Sequence, residues 1–244
     1  WISLQNISGT GWKEIKPSDI WYPKQWKTIL QNTICTEESG IMKDRGKIIG
    51  QLSTLMDERR LEHSVGVSRC AAELAKRYGA DGEKAELAGL LHDCAKCLSP
   101  DQSARLCQKH GWEPDSIEKA NPSLLHAPLG AFLAEDLFRI RDREILSAIC
   151  CHTTGKKGMT LFEKIICLAD YMEESRQYPG VEDIRALAFH DINRALLLAF
   201  ELSIRNVLDR GQLLHPMTVD ARNDLLLAMD GSDKSAAGAS LKNI

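Results

Sequence analysis

No stretch of this 244-residue chain approaches the ~20 consecutive apolar residues that a helix needs to cross a bilayer. Its beginning lacks the charged-then-apolar order of a secretory signal. No membrane partner is expected, and the expected location is cytoplasmic. Neither sign of charge dominates: 31 Lys and Arg stand against 34 Asp and Glu, a formal net charge of −3. Without global basic character, nucleic acid is not expected as a partner, although a small arginine cluster can still serve a phosphorylated ligand. Stretches that read as strand are missing, and so are internal repeats.

The cysteines are Cys35, Cys70, Cys94, Cys97, Cys107, Cys150, Cys151 and Cys167. Most lie inside apolar helical stretches, where a thiol behaves as a small hydrophobe. Cys94 and Cys97 form a C-x-x-C, but no second one stands at zinc-ribbon spacing and no strand precedes it. A zinc ribbon and a thioredoxin-like centre are both disfavoured, and reduced, structural cysteines are expected.

What is present is a soluble globular composition, 43% hydrophobic and 27% charged. The length suits one domain of under about 200 residues plus extensions. Trp1, Trp12, Trp21, Tyr22 and Trp26 sit among Gly, Lys, Ser and Pro with no sustained period, and Met42 precedes a clean helical pattern. Residues 1–41 are therefore expected to be an upstream extension or an expression artefact, removable without loss of folding or activity. The domain is expected over 42–229. Residues 230–244, rich in Gly, Ser, Ala and Lys, are expected to be a disordered tail.

Between these limits the chain reads as helix after helix. Ile48, Ile49, Leu52 and Leu55 make one apolar stripe. Val65, Val67, Ala71, Ala72, Leu74 and Ala75 make a second, stopped at Tyr78-Gly79. Asp81 can cap a third helix running through Lys96, and Leu98-Ser99-Pro100 can open a fourth. Asn121-Pro122-Ser123 breaks the chain before a helix from about Leu124 to Phe138. Further helices are expected over Asp142–Cys151, Thr160–Tyr171, Ile192–Leu208 and Thr218–Met229. The expected fold class is all-α.

The chemistry centres on Leu90-Leu91-His92-Asp93-Cys94-Ala95-Lys96, where a histidine and an aspartate end an apolar run. Imidazole with carboxylate suits iron, manganese, cobalt or zinc. One such pair cannot hold an ion, and His63, His126, His152 and Asp170 are the candidates to complete it. Any one of them alone would more often be a solvated or hydrogen-bonded residue; as a set they favour a site. Arg60 and His63 are three apart on one helix and share a face. Asp93 and Lys96 have the same relation, so Lys96 is either a solvated helix-end lysine or a catalytic, phosphate-facing group.

In this order the residues resemble the HD superfamily of metal-dependent phosphohydrolases. Arg60-Leu61-Glu62-His63, Leu91-His92-Asp93-Cys94-Ala95-Lys96, His126-Ala127-Pro128-Leu129-Gly130 and His152-Thr153-Thr154-Gly155 narrow the likeness to the YqeK family. Leu168-Ala169-Asp170-Tyr171, Arg176 with Pro179-Gly180-Val181, and His215-Pro216-Met217-Thr218 with Ala221-Arg222-Asn223 do the same. The resemblance spans about Ile48 to Leu227. It implies an HD-domain helical bundle that cleaves diadenosine tetraphosphate into two ADP, by attack of a metal-bound water on an inner phosphate. It carries the metal, iron first with manganese or cobalt as alternatives, onto His63, His92, Asp93 and Asp170. Asp93 and Lys96 are the implied catalytic groups. His126 and His152 are left between a second metal and the nucleotide phosphates. Arg60, His63, Thr153, Asp170, Arg176, His215, Thr218 and Arg222 complete the implied nucleotide and phosphate contacts. Arg222 is nearly as well read as a surface salt bridge, and Gly130 as a place for ligand approach or for close helix packing.

Two rival readings keep the metal site or its shape. Another HD phosphohydrolase, acting on dNTPs or a guanosine alarmone, would not predict the His-Thr-Thr-Gly and His-Pro-x-Thr words. A nucleotide-binding module without turnover would have lost a ligand, and all four are present. The Gly-Tyr-Pro word of HD-type cyclic-dinucleotide phosphodiesterases is absent. The substrate is thus expected to be a small dinucleoside polyphosphate, with the oligomeric state open and a homodimer allowed.

Overall fold

A computed structural model describes residues 45–229. The expectations for 1–41 and 230–244 lie outside the described residues. Within them the chain forms eleven α-helices, one 3-10 turn and no strand. The order is α1 (Arg45–Leu52), α2 (Glu58–Tyr78), α3 (Gly82–Leu91), α4 (Pro100–His110), α5 (Ser116–Ala120), the 3-10 turn Pro122–Leu125, α6 (His126–Asp136), α7 (Arg143–Cys151), α8 (Leu161–Met172), α9 (Val181–Ala188), α10 (Ile192–Asp209) and α11 (Pro216–Ala228).

Local chemistry sets the ends. Asp57, Asp81, Ser99, Asp115, Asp142, Thr160 and Asp191 each accept a backbone N–H at the start of a helix, removing orphan donors of the first turn. Ser99 and Thr160 do so in full capping boxes, with Gln102 and Glu163 reaching back. Gly79 stops α2 at φ 73°, where a Cβ would strain the backbone.

Helix α8 is the axis of the fold. Phe162, Ile165, Ile166, Cys167, Leu168, Ala169 and Met172 are all buried, and α2, α3, α7, α9 and α10 pack around it. Helices α2 and α3 lie unusually close, because a Cβ on Gly89 would come within 2.8 Å of the Ser68 Cα. That approach fixes the end of α3 against α2 and, with it, the position of His92 relative to His63. Helices α6 and α7 pack on each other and bring in His126 and His152.

The third helix is shorter than the sequence suggests. It ends at Leu91, and residues 92–97 form successive turns with Cys94 N–H to Leu91 O and Lys96 N–H to Asp93 O. The His92 ring takes the Gly89 carbonyl and competes with helix continuation there. Helices α5 and α9 are additions to the sequence reading. Each is short, at 5 and 8 residues, too few turns to show a period.

Candidate metal and phosphate site

Four imidazoles and two carboxylates converge where α2, α3, α6, α7 and α8 meet. His92 and His152 are fully buried at the ends of α3 and α7, while His126 opens α6 directly after the 3-10 turn. Each uses the same local device. The Nδ1–H donates three residues back along the chain, to Gly89 O at 2.7 Å, Ser123 O at 2.5 Å and Ile149 O at 2.7 Å respectively. A carbonyl can only accept, so Nδ1 carries a proton in each ring and Nε2 is the atom turned inward. Ligation through Nε2 uses this ring orientation.

His63 is set differently. Its Nδ1 lies 2.9 Å from Glu173 Oε1 and its Nε2 lies 3.0 Å from Asp170 Oδ1. Burial alone would lower its pKa, but the two carboxylates push it up to about 9. The same pairing, with Ser175, brings Glu173 down to about 2 against the effect of burial. Burial also works to raise Asp170, yet His63, His92 and Arg176 hold it well below the usual carboxylate range. An ion at His63 would displace the Nε2 proton.

Two ligand groups follow. His63, His92 and Asp170 form one, and His92, Asp93 and His152 the other. His92 Nε2 sits 3.6 Å from Asp170 Oδ1 and 3.8 Å from Asp93 Oδ2, joining them. The chemistry fits a borderline divalent ion in one further respect. His92 Nε2 and Asp93 Oδ1 are both buried without a hydrogen-bond partner, a costly state for polar atoms that are not ligands.

On the other side of Asp93 the surroundings change. Oδ1 lies 3.3 Å from His126 Nε2, 3.6 Å from His152 Nε2 and 3.6 Å from Lys96 Nζ. His126 Nε2 and His152 Nε2 are 3.1 Å apart, too close for two lone pairs unless a donor serves them. Lys96 Nζ at 2.9 Å and Thr153 Oγ1 at 2.9 Å from His126 Nε2 supply it. Burial, then Lys96 and His152, lowers His126 to about 3, so it is neutral at physiological pH. Arg60 reaches Asp93 Oδ2 at 3.3 Å, and Arg176 donates to the Asp170 carboxylate and, at 2.8 Å, to its carbonyl. Lys96, Arg60 and Arg176 are each about a third exposed, so cations stand at the solvent side of these carboxylates.

The structure therefore brings together Arg60, His63, His92, Asp93, Lys96, His126, His152, Thr153, Asp170 and Arg176. It engages other candidates elsewhere. His215 caps α11 through Met217 N–H and pairs with Asp115 Oδ2 at 3.0 Å, and Arg222 pairs with Glu201 at 2.7 Å. Thr218 is buried in the first turn of α11. The Thr154 hydroxyl bonds the Gly155 carbonyl. Gly130 serves packing, since its Cβ would lie 3.2 Å from both His92 O and Ile149 Cγ2. Cys94 is buried against Gly130 O while Cys97 is exposed, and all the described cysteines are free.

Glu173 and Arg185 were missed by sequence reasoning. Glu173 follows Asp170 by three, the same spacing that ties Arg60 to His63, so one signal was there to use. Its pairing with His63, 110 positions away, was not.

Comparison with known proteins identifies the family. Residues 60–175 match the HD domain family. Relatives named symmetrical bis(5'-nucleosyl)-tetraphosphatase include one from Halalkalibacterium halodurans, 40% identical over 75% of this chain and 98% of its own length. Another, from Bacillus subtilis, is 38% identical over 72% and 94%. The crystal structure of a protein from Clostridium acetobutylicum, described as a predicted HD superfamily hydrolase involved in NAD metabolism, superposes with a TM-score of 0.74. It is 41% identical, covering 77% of this chain and all of that one. The chain belongs to the YqeK-type family of symmetrical bis(5'-nucleosyl)-tetraphosphatases, built on the HD domain.

Proposed function

We propose that this protein hydrolyses diadenosine tetraphosphate symmetrically, giving two ADP, with a divalent ion held by His63, His92, Asp93 and Asp170. The observation that carries the reading is the buried, unpartnered His92 Nε2 within the His63, His92 and Asp170 group, in a chain that spans almost the whole of relatives named for this activity. Iron is the proposed ion on the family resemblance; two imidazoles with two carboxylates suit it as they suit manganese or cobalt. Bound there, such an ion would acidify water and so supply a nucleophile near neutral pH.

The chain's own residues do the rest. Lys96, Arg60 and Arg176 oppose the charge of the phosphate chain, the main catalytic contribution in phosphoryl transfer. With Lys96 donating to His126 Nε2, the Thr153 hydroxyl proton is available to a phosphate oxygen. Neutral His126, its Nδ1–H held by Ser123 O, adds no charge that would tie Asp93 up as a salt bridge. ADP leaves readily because its terminal phosphate has a low pKa, so a strong general acid is not required. Symmetric cleavage follows when the pocket grips one ADP moiety and presents the next phosphorus to the nucleophile. His215, Thr218 and Arg222 are proposed for the nucleoside side. In support, a Cβ on Gly155 would lie 2.9 Å from Ala221 Cβ, so α11 packs on the turn that carries Thr153.

The test is product analysis. Full-length protein incubated with diadenosine tetraphosphate should yield ADP alone, and chelation should stop it. AMP with ATP would place attack on an outer phosphorus and overturn the register. No turnover with metal bound would move the reading to another nucleotide.

A further inference from the structure

We infer that the turn following Asp170 is a brace for the metal ligands, with Glu173 and Arg185 as its positioning residues. This rests on reading His63 and Asp170 as ligands. Glu173 is 2% exposed, and its carboxylate is held on several sides. It accepts from His63 Nδ1 at 2.9 Å, from Ser175 N–H at 2.8 Å and from the Ser175 hydroxyl. The space for it is provided by Gly66, three residues after His63 on α2, where a Cβ would fall 2.5 Å from Glu173 Oε2. A Cβ at 66 would force that carboxylate to shift.

The backbone carrying Glu173 is itself held from α9. Carbonyls at a helix C-terminus have no partners within the helix. Arg185 collects them: its Nε donates to Met172 O at 2.9 Å, and its Nη2 to Glu173 O at 2.7 Å and Arg176 O at 2.9 Å. The same turn carries Arg176, which bonds both the carbonyl and the carboxylate of Asp170. One guanidinium thus fixes a turn that orients His63 through Glu173 and Asp170 through Arg176. A flexible ammonium cannot span carbonyls in this planar way. Partners of this outer kind orient the ligand ring, and their loss typically weakens metal affinity by about 10–100-fold.

A purely structural cap would change stability and leave metal affinity alone, which gives the test. Full-length protein is stripped of metal by dialysis against chelator and titrated with cobalt(II), following its visible absorption. Glu173→Gln, nearly isosteric, should bind cobalt about 10–100-fold more weakly than the unaltered chain. Arg185→Lys should weaken binding about tenfold with an unchanged far-ultraviolet circular dichroism spectrum. Arg77→Met serves as control, because Arg77 donates to Phe189 O at the far end of α9 and should leave cobalt affinity as it was. Should Arg185→Lys fail to fold, Glu173→Gln carries the test alone. Unaltered affinity in Glu173→Gln overturns the brace while leaving the metal site standing. Failure of the unaltered chain to bind cobalt overturns the metal reading and the brace with it.

Discussion

His63, His92 and Asp170 on one side, and Asp93, His126 and His152 on the other, use the same two functional groups in opposite surroundings. Around the first, a second carboxylate, Glu173, backs the outermost imidazole, so negative charge collects where a cation would sit. Around the second, the imidazoles are backed by neutral carbonyls and faced by Lys96 and Thr153, which favours an anion. Ligand type alone does not decide what a cluster binds. The charged groups around the rings do, since His92 is backed by a carbonyl just as His126 and His152 are.

The comparison can be broken most severely at Asp93, whose two oxygens face the two sides. Asp93→Ala should remove metal and turnover together, with kcat down at least about 10³-fold; an active variant would show that the sides do not share it. Next in size, Lys96→Met should lower kcat by about 10²–10³-fold, as for loss of one charge-stabilising donor, while metal content stays normal. Gly130→Ala should cost about 1–3 kcal/mol in denaturant unfolding, because the new methyl presses on His92 O and Ile149. A neutral or stabilising result there would restore ligand approach as the reason for the glycine.

The smallest expected effect lies away from both sides, at the Asp115–His215 pair. Burial works to raise Asp115, but the Glu118 N–H and His215 hold it below its ordinary value. A carboxyl depressed in the folded state adds stability above its unfolded pKa of about 3.9, and that contribution drains as pH falls through the folded value. Asp115→Asn should therefore show a shallower fall of thermal midpoint between about pH 5 and pH 3 than the unaltered chain. Metal content should not change.

Much of this was legible in the sequence because it is local. The starts at Asp81, Ser99, Asp142 and Thr160 and the stop at Gly79 act within four residues of themselves, and those helices begin or end where the sequence places them. The third helix was drawn too long because the sequence does not show His92 turning back onto Gly89 O. Arg60 and His63 do share a face, as their spacing requires. What spacing could not give is pairing at a distance: Glu173 with His63, Arg185 with the 172–176 carbonyls, and Arg222 with Glu201. Arg222 illustrates the limit well, since the Glu201 partner it has in the structure stands 21 residues away in the chain.

The most direct test of the division between the two sides is the metal content of two variants of the full-length protein, His63→Ala and Lys96→Met, by elemental analysis. The account predicts that His63→Ala loses its metal while Lys96→Met keeps the full complement. Equal loss from both, or loss from Lys96→Met alone, would contradict it.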